Sequence, residues 1–206
     1  MTLRLTAILL IAACTIFLVG AGFWLVREFE QPLALRLAAV ARHHRRWMWI
    51  HAWMCAGTLI SVPAIASLVA LLRNDRGGWP AATALVLFPA GCVAFLGALI
   101  VGMTATRTAA AAANNTGSVP PAYVRVHRLA SRLHVVFMML SYATFVLLGL
   151  AMLRGSLMPA WVAWVGVTAG LAGLVGYPLL RGGPFAPPII AHSFGLLVGI
   201  VILLRL

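Results

Sequence analysis

Six apolar runs decide what this chain can become: residues 5–26, 47–72, 80–104, 131–153, 159–180 and 187–204. Each approaches or exceeds the roughly 17–25 residues that a helix needs to cross a bilayer. Inside lipid every backbone N–H and C=O must be bonded within the protein, which leaves only helices or closed barrels. The runs lack the residue-by-residue alternation of barrel strands, so helices are expected. The expected fold is all-α and polytopic, a bundle of six transmembrane helices forming a single domain over residues 1–206. Composition points the same way. Of 206 residues, 63% are apolar and 9% charged, and the mean hydropathy is +1.04. A soluble domain carries about 25% charged residues.

Charge then orients the bundle. All 15 basic residues are arginines, and the 3 acidic ones are Glu28, Glu30 and Asp75. The connections after the first, third and fifth runs hold Arg27, Arg36, Arg42, Arg45, Arg46, Arg107, Arg125, Arg128, Arg132 and Arg181. Only Arg4, Arg73, Arg76, Arg154 and Arg205 lie on the other side. The positive-inside rule places the first set in the cytoplasm and both termini outside, with anionic lipid headgroups as the natural counter-charge. No nucleic-acid partner is expected from a net charge of +12, because the arginines stand at span ends rather than in a groove. Residues 33–46 have the leucine and arginine pattern of a short interfacial helix, with a solvated basic loop as the alternative. The alanines of residues 109–113 extend the third helix until Asn114 to Gly117 turn the chain, and Pro120 and Pro121 open the fourth.

What is missing narrows the chemistry. Without lysine there is no Schiff base and no lysine nucleophile. Without Asp or Glu deep in a run, a carboxylate proton relay has no members. The Glu28 and Glu30 pair, at the end of the first run, is the one carboxylate pair in the chain. Cys14, Cys55 and Cys92 fall inside apolar runs and read as small packed residues. "IAAC", residues 11–14, has the look of a lipoprotein cleavage site, but the apolar run continues to Val26 and reads as a retained helix.

The histidines carry the one chemical lead. "HHRRWMWIH" (43–51) and "HRLASRLH" (127–134) each place a second histidine just inside an apolar run, which also hints at an internal repeat. Counting from each run's border puts His51, His134 and His192 in one layer, roughly 3–8 Å below the surface. Such a layer permits two axial ligands to haem b, or three ligands to a metal. The plainer reading is hydrogen bonding at the membrane border. His43, His44 and His127, among arginines, are expected to be solvated. Gly166 with Gly170 and Gly195 with Gly199 have the spacing that lets helices approach closely, within the chain or across a dimer interface.

"LGLAMLRGSLMPAWVAWVGVTAGLAGL", residues 148–174, resembles the fifth-helix region of bacterial six-span membrane proteins grouped under a domain of unknown function, DUF4386. Arg154, Gly155, Ser156, Pro159, Trp161, Trp164, Gly166 and Gly170 carry the resemblance, while Ala160 stands where those proteins often have arginine. The resemblance implies six spans and a bacterial inner membrane, and it implies no chemistry. The sequence therefore favours a non-enzymatic accessory or scaffolding subunit, packed against partner spans, lipid or a second copy. The alternative is a b-type haem or metal protein in electron transfer using His51, His134 and His192. A small-molecule transporter is the third reading and lacks a coupling residue.

Overall fold

The computed structural model describes residues 2–22, 32–180, 184 and 186–206, and these are helical with no strand. Residues 23–26 of the first run, the Glu28 and Glu30 pair, Arg27 and Arg181 lie outside the described residues. Seven helices follow among those described: α1 Leu3–Gly22, α2 Leu33–Arg42, α3 His44–Asn74, α4 Gly78–Thr116, α5 Pro121–Arg154, α6 Ala160–Leu179 and α7 Ile190–Leu204. Five of them, α1, α3, α4, α5 and α6, are long and apolar enough to cross a membrane. The chain is a multi-pass membrane bundle.

Local chemistry sets the helix ends. Gly117, at φ 70°, closes α4 with its N–H on the Ala113 carbonyl at 2.8 Å. A left-handed φ of this kind favours glycine. Pro121 then opens α5, where a missing N–H is no loss. With no breaker before Gly155, α5 begins ten residues earlier than the apolar run at residue 131, because a helix need not stop where hydropathy falls. At 39 and 34 residues, α4 and α5 measure about 58 and 51 Å. The hydrocarbon core is about 30 Å thick, so both project well beyond it at the basic end.

On that projection α2 docks. Leu37 and Val40 bury their side chains with Trp47, Ala109, Ala110 and Tyr123 in a small second core. The helix expected over residues 33–46 thus forms over 33–42, and it rests on protein. His127, expected to be solvated, is half-buried, its ring 5.9 Å from that of Tyr123. It lies on the same projecting stem, where α5 gives it a neighbour one turn back.

The main bundle is a circuit. The helices α3, α4, α5 and α6 pack in chain order, α1 packs on α3, and α7 packs mainly on α1. Glycines set the tightest crossings: a Cβ at Gly170 would stand 2.6 Å from the Tyr142 carbonyl oxygen, and one at Gly199 would stand 3.0 Å from that of Ala7. Gly166 meets Phe194, with a Cβ there 2.6 Å from its ring, so α6 and α7 also touch. Gly195 is looser, with Leu10 3.6 Å away. All four glycines therefore face neighbours within the chain.

Outside the core, Val86, Val93 and Ile100 are exposed at 66%, 70% and 52%, a stripe seven residues apart on the outer face of α4. Trp161, Trp164 and Val175 are likewise exposed on α6. A soluble monomer rarely exposes apolar surface so continuously, and in hydrocarbon it costs nothing. Buried hydroxyls bond the carbonyl one turn back: Thr58 to Met54, Ser61 to Gly57 and Thr144 to Leu140, at 2.7–2.8 Å. That pattern keeps polar groups satisfied within each helix.

The last apolar run gives the shortest helix. It was expected over 187–204, yet α7 has 15 residues, about 22 Å. Pro187 and Pro188 stand before it, and its first regular turn forms only once they are passed.

Candidate functional site

The three border histidines occupy three depths rather than one layer. Distances can be counted from the end of the bundle where Asp75, Trp79, Ser156 and Arg205 meet. His51 is 23 residues from the end of α3 at Asn74, about 35 Å. His134 is 20 residues from the end of α5 at Arg154, about 30 Å. His192 is 12 residues from the end of α7 at Leu204, about 18 Å. The expected layer assumed that each helix enters at its hydropathy border. Because α7 begins late, its histidine lies well inside.

Each imidazole has its own surroundings. His51 Nδ1 donates to the Trp47 carbonyl at 2.9 Å and its ring lies 4.3 Å from that of Trp47. Its Nε2 edge fills the space at Gly102, where a Cβ would stand 2.6 Å away. Trp47 Nε1 donates to the Gly102 carbonyl at 2.8 Å, so indole and imidazole together clamp α3 on α4. His134 Nε2 donates to the Ala186 carbonyl at 2.9 Å and therefore carries the proton there. That bond ties α5 to the segment leading into α7.

His192 is different. Its ring stacks on Phe17 at 3.9 Å and lies 6.3 Å from Phe137. Its Nδ1 is 3.0 Å from Ser61 Oγ, and Ser61 itself donates to the Gly57 carbonyl at 2.8 Å. Ser61 has one proton, so its oxygen accepts from His192 Nδ1–H. In that tautomer Nε2 carries a bare lone pair. This nitrogen is buried and has no hydrogen-bond partner, a condition shared among the described side chains only by Ser141 Oγ. His192 is also among the residues that line a cavity of about 10 Å³, with Leu10, Cys14, Ser61, Ile65 and Phe88. That is about the space of one water.

The three-histidine metal site expected as an alternative is not assembled. No group of three His, Cys, Asp or Glu side chains among the described residues converges on a common point. The contact path from His134 to His192 runs through Phe95, stacked on Phe137 at 4.3 Å. His134 and His192 thus border one phenylalanine cluster, while His51 packs against Trp47 and Gly102.

At the opposite end of the bundle a second polar feature appears that the sequence did not single out. The Asp75 carboxylate accepts from Ser156 N–H at 2.6 Å, Leu157 N–H at 2.5 Å and Ser156 Oγ at 3.0 Å. Arg205 Nη1 donates to the Leu157 carbonyl at 2.9 Å, and Arg154 lies over the Trp79 ring at 5.6 Å. These bonds clip the α3–α4 turn, the α5–α6 turn and the end of α7 together. An aspartate just past a helix end, facing a Gly-Ser turn, was the available signal.

Fold and sites together define a multi-pass helical membrane protein with an aromatic core and a basic helical projection. No known protein family, curated protein or solved structure matches the chain.

Proposed function

We propose that this protein is a six-crossing subunit of a bacterial inner membrane that supports partner spans, with no catalytic site of its own. In this reading α7, with the segment before it, completes the sixth crossing. The basic end faces the cytoplasm, where Arg42, Arg45, Arg46, Arg107, Arg125, Arg128 and Arg132 meet anionic headgroups, and both termini face outward. The resemblance of residues 148–174 to six-span proteins of unknown function belongs to the same reading.

The observation that carries it is the exposed apolar stripe of α4 and α6 around a closed core. The glycine faces are already used inside the chain, so outward valines, isoleucine and tryptophans remain for lipid or a partner helix. A polar route through the middle, which transport needs, has no support in the phenylalanine cluster there. Purification in a mild detergent tests the proposal: a stoichiometric membrane partner, or a dimer of this chain, is the expected result. A chain that elutes alone as a monomer from native membranes overturns it.

A further inference from the structure

The cavity beside His192 has the donors of a metal site for a soft monovalent cation. Three helices bring them together. Cys14 lies 11 residues into α1 from Leu3, about 17 Å from the clipped end, while His192 lies about 18 Å from the same end and Ser61 about 20 Å. All three line one cavity, and Cys14 and His192 are exposed by only 1% and 3%.

The chemistry of these donors selects the ligand. His192 Nδ1 is bonded to Ser61 while Nε2 has no partner, and a bond on the other ring nitrogen is how metal-binding imidazoles are usually oriented. A thiolate is a soft ligand that favours Cu(I). Zinc takes four ligands in structural sites and three in catalytic ones, so two donors fall short. Cu(I) and Ag(I) accept two donors in a line. The cavity of about 10 Å³ admits a single atom-sized guest.

Charge is the strongest constraint at this depth. A bare cation or thiolate buried in apolar surroundings is costly. One thiolate, one monovalent cation and one neutral imidazole sum to zero, so the assembled site places no net charge in the membrane. We propose that Cys14 Sγ and His192 Nε2 together bind one Cu(I), or Ag(I) in its place, inside the bundle. Binding breaks the Cys14 S–H bond and releases that proton; sulfur and nitrogen each donate an electron pair, and no group changes oxidation state. The inference is independent of any accessory role.

The test is an anaerobic titration of the detergent-purified protein with Cu(I), against a coloured Cu(I) chelator as competitor. One tightly held Cu(I) per chain is expected, with a thiolate-to-copper band in the near ultraviolet. Cys14→Ala, a small change inside a helix, should remove the band and weaken binding by more than about 100-fold, beyond the loss typical of an outer-shell change. Ser61→Ala should weaken it by roughly 10–100-fold through lost orientation of the ring. His192→Phe, which keeps a ring on Phe17, should remove binding; Cys55→Ala and Cys92→Ala should not. Failure of the wild-type protein to retain Cu(I) leaves the cavity to a water and overturns the proposal. Undiminished binding in folded Cys14→Ala overturns it equally.

Discussion

Replacing Asp75 by alanine removes all three hydrogen bonds of the inter-turn clip at once. Bonds to a charged acceptor contribute about 1.5–3 kcal/mol each where water is kept out. This loop is partly exposed, so water takes up much of the loss. The closest comparison is an aspartate capping helix N–H groups, whose removal costs about 0.5–2 kcal/mol. We expect Asp75→Ala to cost about 1–2 kcal/mol, or roughly 2–8 °C in Tm for a chain of this size.

The pH dependence gives this prediction a second handle. Desolvation alone would raise the Asp75 carboxyl, but the Leu157 N–H, the Ser156 hydroxyl and N–H and the Arg76 charge outweigh it and hold it below the ordinary carboxylate value. A lowered folded-state pKa means that the stabilisation is complete above the unfolded value, about 3.9, and disappears as pH falls through the folded one. Thermal melts of wild type and Asp75→Ala in one detergent should therefore differ by a constant amount from pH 5 to 8, and the gap should narrow as pH falls below about 4. Asp75→Asn keeps one acceptor oxygen and should fall between them. Gly155→Ala should match or exceed the Asp75→Ala loss, since a Cβ there runs into the Asp75 carboxylate and carbonyl. A Tm within 1 °C of wild type for Asp75→Ala refutes the clip, with 1 °C set at about half the smallest shift that about 1 kcal/mol produces. A gap of unchanged size at pH 3 refutes its ionic character.

Glycine substitutions should separate crossing from crossing. Gly170→Ala forces a Cβ to 2.6 Å from the Tyr142 carbonyl and should cost about 1–3 kcal/mol, whereas Gly195→Ala meets only Leu10 at 3.6 Å and should melt like wild type. Trp47→Phe loses the 2.8 Å bond to the Gly102 carbonyl and should cost about 1 kcal/mol, read as a lowered melting temperature. Ser118→Cys, exposed at the tip of the projection, should react with a membrane-impermeant maleimide in inverted vesicles and not in intact cells. Labelling in intact cells would reverse the proposed orientation.

Hydropathy marked the spans because lipid contact acts on side chains one by one, and the apolar runs lie within the observed helices over most of their length. It could not mark helix ends, which depend on backbone chemistry: Gly117 and Pro121 bound helices that continue far past the apolar residues. The glycine pairs were legible as close contacts, but which partner they touch depends on packing order. With α6 against α5 and α7 against α1, both pairs are consumed internally. Histidine depth is not legible from hydropathy borders. His192 lies about 12 Å further from the basic surface than His134 by helix count, because Pro187 and Pro188 delay α7. That delay is also what gives the residue its chemistry. A histidine at the surface would have found water for both nitrogens. At the depth of Cys14 it has one serine for Nδ1, and Nε2 is buried with no hydrogen-bond partner among the described residues. A bare nitrogen this far from solvent costs free energy unless something binds it. The short last helix and the unpaired imidazole are therefore one structural fact, and occupancy of the cavity decides whether that cost persists in the membrane.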